Sequence, residues 1–152
     1  LSLDDLRTMG SKTQITLHHC IQGWSGIAAW GGLPMADLIH LVKPKQNARA
    51  VVFHSFGDGV ALHEGVEDIR YYDSLSMENA ENPQTLLAYE MNYEPLTQLH
   101  GAPLRLRVEN QLGFKMVKWI QSIEFVEDVR SVGEGEGGFA EDHEYFGELA
   151  NI

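Results

Sequence analysis

Cys20 is the only cysteine among the 152 residues, and it stands in HHCIQGWSG, residues 18–26, after two histidines and before a Gly-Trp-Ser-Gly run. A lone thiol in that setting has three readings: a buried structural cysteine, a redox or nucleophilic thiol, and a metal ligand. A structural zinc site calls for four ligands, and no second Cys or His pair at metal-binding spacing supplies them. A cysteine nucleophile needs a base and an orienting group, which seven scattered histidines do not specify. By residue type alone the buried cysteine is favoured, because free Cys is among the most buried residues. The second stretch with chemical potential is HGAPLRLRVENQLGFKMVKWI, residues 100–120. Four of the chain's 11 basic residues (Arg105, Arg107, Lys115 and Lys118) fall together there, beside His100. Arg and Lys hold phosphate through charge-assisted hydrogen bonds, so this local reversal of sign suits an anionic ligand. A solvated strand face is the competing reading.

The elements that would carry these residues are short. Ser2 and Asp5 form a capping-box pattern that opens a helix through about Met9. Thr13, Ile15 and Leu17 then alternate with Gln14, Thr16 and His18, the period of a half-buried strand that ends at Cys20. His18 and Cys20 share one face of that strand, and His19 points the other way. A turn through Gly23, Ser25 and Gly26 follows. GGLPMADLIHLVKP predicts a helix with Pro34 near its start, Pro44 at its end and an apolar face of Leu38, Leu41 and Val42. ARAVVFHS predicts a buried strand, and FGDGVALHEGVED an acidic, Gly-rich surface loop. IRYYDSLSM, TLLAYEMN, PLRLRVEN and VKWIQSIEFVED predict further strands, with ENAENP as a polar turn. In LRLRV, Leu104, Leu106 and Val108 face one way and Arg105 and Arg107 the other. The tail, residues 133–152, is acidic and Gly-rich, yet it keeps Phe139, His143, Tyr145 and Phe146, which a pure linker would not need. Many short strands with a few brief helices predict an α+β domain with mixed β-sheets, residues 1–152 forming one unit.

Composition narrows the function classes. The formal charge of −11 repels phosphate backbones and anionic lipid, so nucleic acid and a charged membrane surface are not expected partners. No run of 18 apolar residues is present, so no membrane insertion is expected, and no signal peptide is visible at the start. GxGxxG and the P-loop are absent, so neither a dinucleotide nor a nucleoside triphosphate is implied.

The two stretches together resemble the oxidoreductase molybdopterin-binding domain, the core of the sulfite oxidase family. HGAPLR matches the family's polar-Gly-x-Pro-apolar-Arg pattern, and GFKMVKW matches its Gly-x-Lys-x-Val-Lys-Trp run. CIQGWSG, followed by Trp30, Gly31, Gly32 and Leu33-Pro34, resembles the cofactor-cysteine segment of the periplasmic methionine sulfoxide reductase branch. The likeness runs from about Leu3 to the tail. It implies the sulfite oxidase molybdopterin-binding fold and a molybdenum-molybdopterin cofactor, with Cys20 as the catalytic thiolate on the metal. By the same resemblance Ser55, His100, Arg105, Met116, Val117 and Lys118 bind the cofactor, and Arg107 matters less than Arg105. His100 is the sulfite-oxidase choice, where the reductase branch has Asn. Asp142, His143 and Tyr145 fall near the place where the family covers the metal.

The implied activity is two-electron oxo transfer on a small S-oxide, N-oxide or sulfur oxyanion. Ile21-Gln22-Gly23-Trp24 replaces the segment from which sulfite oxidases draw an arginine for sulfite. No haem-binding CxxCH is present, so the resemblance implies a separate haem or quinone-linked electron partner. It also implies a periplasmic or extracytoplasmic setting, and a cofactor loop upstream of Leu1, so that the domain lacks its N-terminal part. The alternative from another function class is a truncated or cofactor-free domain that serves as a binding or carrier module.

Overall fold

The computed structural model describes residues 1–58, 70–143 and 152. The capping box forms: the Ser2 hydroxyl accepts from the Asp5 N–H and the Asp5 carboxylate accepts from the Ser2 N–H, opening α1 (Leu3–Thr8). β1 (Lys12–His19) and β2 (Ser25–Pro34) follow as an antiparallel hairpin, and α2 spans Met35–Val42. β3 (Ala50–Asp58), β4 (Arg70–Ser76), α3 (Met77–Glu81), β5 (Thr85–Met91), β6 (Glu94–Pro95), β7 (Arg105–Val108), β8 (Ile120–Val126) and α4 (Phe139–Asp142) complete the order. Two sheets result. β1, β2, β5 and β6 form one, with β7 also paired to β5; β4, β3 and β8 form the other. The α+β expectation with mixed sheets and few short helices is met.

The main core lies where the sheets face each other. Leu33, Leu87 and Leu106 come from the first sheet and Val51 and Phe53 from the second, closed by Met35, Leu38 and Ile39 of α2 and Leu6 of α1. Burying each such side chain contributes about 1.5–3 kcal/mol. The opposite face of the first sheet carries a second cluster around Trp30, with Ala28, Leu86 and Ala88. On the second sheet, Val52, Tyr72 and Val126 are covered by Phe139.

Several expectations are corrected. GGLP belongs to β2 rather than to the helix. Its glycines stand at a β-bulge against β5, where a Cβ on Gly32 would overlap the Leu87 carbonyl. The buried face of α2 is Met35, Leu38 and Ile39, while Leu41 and Val42 are exposed. ENAENP opens with the short helix α3, capped by the Ser76 hydroxyl, instead of a turn. β7 is buried on both faces, so Arg105 and Arg107 do not form a solvated face. β1 alternates as predicted, but its inward side carries Gln14, Thr16 and His18, while Ile15 and Leu17 are 66% and 44% exposed. Of the expected acidic loop, residues 56–58 extend β3 and the rest lies outside the described residues.

Candidate active site

A cavity of about 910 Å³ opens on the Trp30 face of the first sheet. Cys20 stands at its wall as the first residue of the β1–β2 loop. That loop is closed by hydrogen bonds from the Cys20 N–H to the Trp24 carbonyl (2.9 Å) and from the Gly23 N–H to the Cys20 carbonyl (3.0 Å). Gly23 has φ +89, a left-handed value that glycine adopts without strain. The thiol is free and half-buried.

The second wall comes from residues 100–118. The Gly-Ala-Pro turn leads into β7, and Leu106 and Ile120 donate to the carbonyls of Val117 and Leu104 at 2.8 and 2.9 Å. This pairing sets the two motif segments side by side. Gly101 is the point of contact: a Cβ there would meet Lys118 carbons at 3.0 Å and the Arg105 Cβ at 3.2 Å. Glycine therefore lets Arg105 and Lys118 approach each other.

The two arginines of β7 stack on one indole, with their guanidinium carbons 4.7 Å (Arg105) and 4.4 Å (Arg107) from the Trp30 ring centroid. Their polar partners differ. Arg107, fully buried, makes a bidentate pair with Glu109 (2.9 and 2.7 Å) and meets His18 Nδ1 through Nη1 at 2.9 Å. Burial, with Arg107 and Arg105 beside it, pulls His18 down to about 4, so the ring is neutral near pH 7. Since Arg107 can only donate, His18 Nδ1 accepts and its proton sits on Nε2.

Among the described residues the hydrogen-bond partner of Arg105 is the His100 carbonyl, at 2.9 Å from Nη1, and its buried Nε has none. Burial and then Arg107 push it down to about 9. Lys118 donates to the Leu99 carbonyl (3.2 Å) and is lowered by burial and by Arg105. Among the described residues no carboxylate pairs with either. A buried cation without a counter-charge is costly, and a bound anion relieves it. The site therefore offers two cations able to take an anion, Arg105 and Lys118, beside a free thiol able to take a soft metal, Cys20, a set that would fit a phosphate-bearing metal cofactor.

The expected basic group thus divides. Lys115 is turned away and pairs with the buried Asp73 and Glu141. Of the expected site residues, Cys20, His100, Arg105, Met116 and Lys118 line the cavity. Ser55 and Val117 are buried beside it without lining it; Ser55 pairs across the sheet with Ile120, and its hydroxyl has no partner. Asp142 and His143 are not among the lining residues, and Tyr145 lies outside the described residues. His18, Trp24, Trp30, Arg107, Phe139 and Ala140, which also line it, are not among the expected site residues, although His18, Trp24 and Arg107 stand in the two stretches singled out. The shared strand face of His18 and Cys20 was a usable signal for the first; Trp30 and Phe139 arrive by tertiary contacts that no local pattern encodes.

Comparison with known proteins gives the same picture. The family model described as the oxidoreductase molybdopterin binding domain matches residues 1–132. The protein-methionine-sulfoxide reductase catalytic subunit MsrP of Xanthomonas axonopodis is 36% identical over 132 residues, covering 84% of this chain and 41% of that one. A chain of Azospira oryzae assigned as a protein-methionine-sulfoxide reductase subunit is 33% identical over 144 residues, 95% of this chain and 48% of its own length. The chain thus spans under half the length of these curated relatives. The crystal structure of the sulfane dehydrogenase SoxCD from Paracoccus pantotrophus shares the fold, with a TM-score of 0.68 at 19% identity over 91% of this chain and 41% of that one.

Proposed function

The chain belongs to the oxidoreductase molybdopterin-binding domain family, and from that premise we propose that it is a molybdenum cofactor-dependent oxidoreductase acting by two-electron oxo transfer, with Cys20 as the protein thiolate on the metal. The observation that carries this reading is one cavity walled by a free thiol and two cations that form no ion pair among the described residues. When bound, the cofactor supplies the oxo-transfer chemistry. The protein's part is to hold and exclude. Arg105 and Lys118 hold the phosphate, and His100, Met116 and Val117 flank it. Ser55 has a spare buried hydroxyl to offer beside the same run. Trp30 holds both guanidiniums over its ring.

Of the substrate classes, a neutral S-oxide suits the site best. Ile21, Trp24 and Ile27 line the cavity after Cys20, and Arg107 is already neutralised by Glu109. No free arginine follows the thiol to receive a sulfite dianion. The relatives named for methionine sulfoxide support the same class. Electrons come from a separate haem or quinone-linked partner, in an extracytoplasmic setting.

Molybdenum and pterin analysis of protein made in a cofactor-competent host tests the assignment. Near-stoichiometric metal, lost in Cys20→Ser, is the expected result. Absence of both from the intact protein would overturn it in favour of a cofactor-free binding module.

A further inference from the structure

Residues 133–143, beyond residue 132 where the family model ends, are built into the molecule as a strap. Residues 133–138 wrap a carboxylate: Asp142 accepts the N–H groups of Glu134 and Glu136 at 3.0 Å each, and the Tyr72 hydroxyl. The chain then bridges to the second sheet, Gly138 pairing with Asp73 and the Ser74 hydroxyl donating to the Gly137 carbonyl. α4 follows, and there Phe139 and Ala140 become part of the cavity wall.

One buried cation joins this strap to the cofactor run. Lys115 lies between Gly113 and Met116, which line the cavity, and is itself 4% exposed. Its ammonium donates to Glu141 of α4 at 2.7 Å and to Asp73 of β4. Tyr71 ties the same turn to β4, its hydroxyl donating to the Phe114 carbonyl at 2.5 Å. The fit around these carboxylates is close: a Cβ on Gly138 would overlap Glu141 Oε2 and approach Asp73 Oδ1 to 2.7 Å. Gly138 has φ −177, so its lack of a side chain serves this packing and not the backbone conformation.

We propose that Lys115, through Asp73 and Glu141, is a positioning residue that locks the 133–143 strap against the cofactor run, and that release of this lock opens the cavity. The proposal rests on the cofactor reading above for what enters, but the lock is a property of the cofactor-free chain too. Lys115 thereby serves the site without touching the ligand. The only thiol in the molecule, Cys20, reports whether the cavity has opened.

Two variants test this without removing the cation. Glu141→Gln weakens the strap's half of the lock with a side chain of the same shape, and Gly138→Ala wedges the strap from the carboxylate side. Hydrogen–deuterium exchange is followed on the full chain with and without cofactor, and labelling of Cys20 by a bulky maleimide on the cofactor-free chain, where the thiol is unligated. In both variants the amides of residues 137–142 exchange about tenfold faster or more, as expected for loss of one charged hydrogen bond. β5 and β7 keep the wild-type rate, and Cys20 labels severalfold faster. Unchanged strap exchange, unchanged labelling, or a uniform rise over the whole chain overturns the proposal. A wild type that takes up no molybdenum refutes the cofactor reading and leaves the lock to be decided by exchange and labelling alone.

Discussion

At the residue scale, Arg105 and Arg107 show how identical side chains one turn of the pleat apart acquire opposite roles. Both lie over Trp30 and both are buried, but only Arg107 has a carboxylate and an imidazole to meet it. Removing one partner of a buried pair strands the other, which costs about 3–5 kcal/mol. Arg107→Met therefore destabilises the cofactor-free protein by roughly that amount, seen as a lower urea midpoint, because Glu109 keeps only Gln14 as a side-chain partner among the described residues. Arg105→Met behaves differently. It deletes a buried charge held by one carbonyl and the Trp30 ring, with no ion pair among the described residues, so the cofactor-free protein loses less stability than in Arg107→Met, while molybdenum retention falls. Equal midpoints for the two variants would show that Glu109 does not distinguish them. Sequence alone ranked Arg107 second for phosphate contact; for folding the order is expected to invert.

At the element scale, the strap contact carries its own pH dependence. One Lys115 faces two carboxylates, and burial raises Asp73 to about 7 against the pull of Lys115, with Glu141 pushing the same way. Lys115 itself stays charged, raised by the two acids despite its burial. Tyr71 and Tyr72 flank Asp73 on β4, and Asp142 reaches it only through Tyr72. Between pH 4 and 7 the native state thus binds the proton that the unfolded chain has released. The stabilisation is full below the unfolded value and disappears as pH rises through 7. Protection of the 137–142 amides, corrected for intrinsic exchange, should fall between pH 5.5 and 8.5 in the wild type and stay level in Asp73→Asn; parallel slopes would refute it. Much of this architecture was legible: the capping box, the strand ending at Cys20 and the five other strand runs are local patterns. β2 was not, because Gly31 and Gly32 serve a bulge and lower its strand propensity. Nor was the facing of β1, since Gln14, Thr16 and His18 turn inward, Gln14 to Glu109 and His18 to Arg107 at the cavity wall, and leave Ile15 and Leu17 outside, which reverses the usual hydrophobic rule. The motif glycines and basic residues disclosed Cys20, Arg105 and Lys118. The Lys115 lock needed three distant segments to meet, and spacing says nothing of that.

At the scale of the whole molecule, a chain of net charge −11 keeps in this cavity two cations that form no ion pair among the described residues. The acidic surface disfavours most anions on approach, so occupancy of the recess depends on a ligand that gains more than charge neutralisation. A group that also forms a thiolate–metal bond and fills an apolar wall of Trp30, Met116 and Phe139 meets that condition. Such a ligand binds only the folded chain, so it stabilises by mass action, about 4 kcal/mol when present at a thousand times its dissociation constant. For a domain near 150 residues, each kcal/mol moves the melting temperature by roughly 2–4 °C. Cofactor-loaded protein is therefore expected to melt about 10 °C above the cofactor-free form. Cys20→Ser and Arg105→Met, expressed in the same host, should each lose most of that difference, the first through the metal and the second through the phosphate. Inorganic pyrophosphate added to the cofactor-free protein reports the phosphate part alone. It should raise the melting temperature of wild type and Cys20→Ser alike, decline with added salt and leave Arg105→Met unmoved. An equal rise in Arg105→Met would place the phosphate elsewhere on the surface and remove Arg105 from the site.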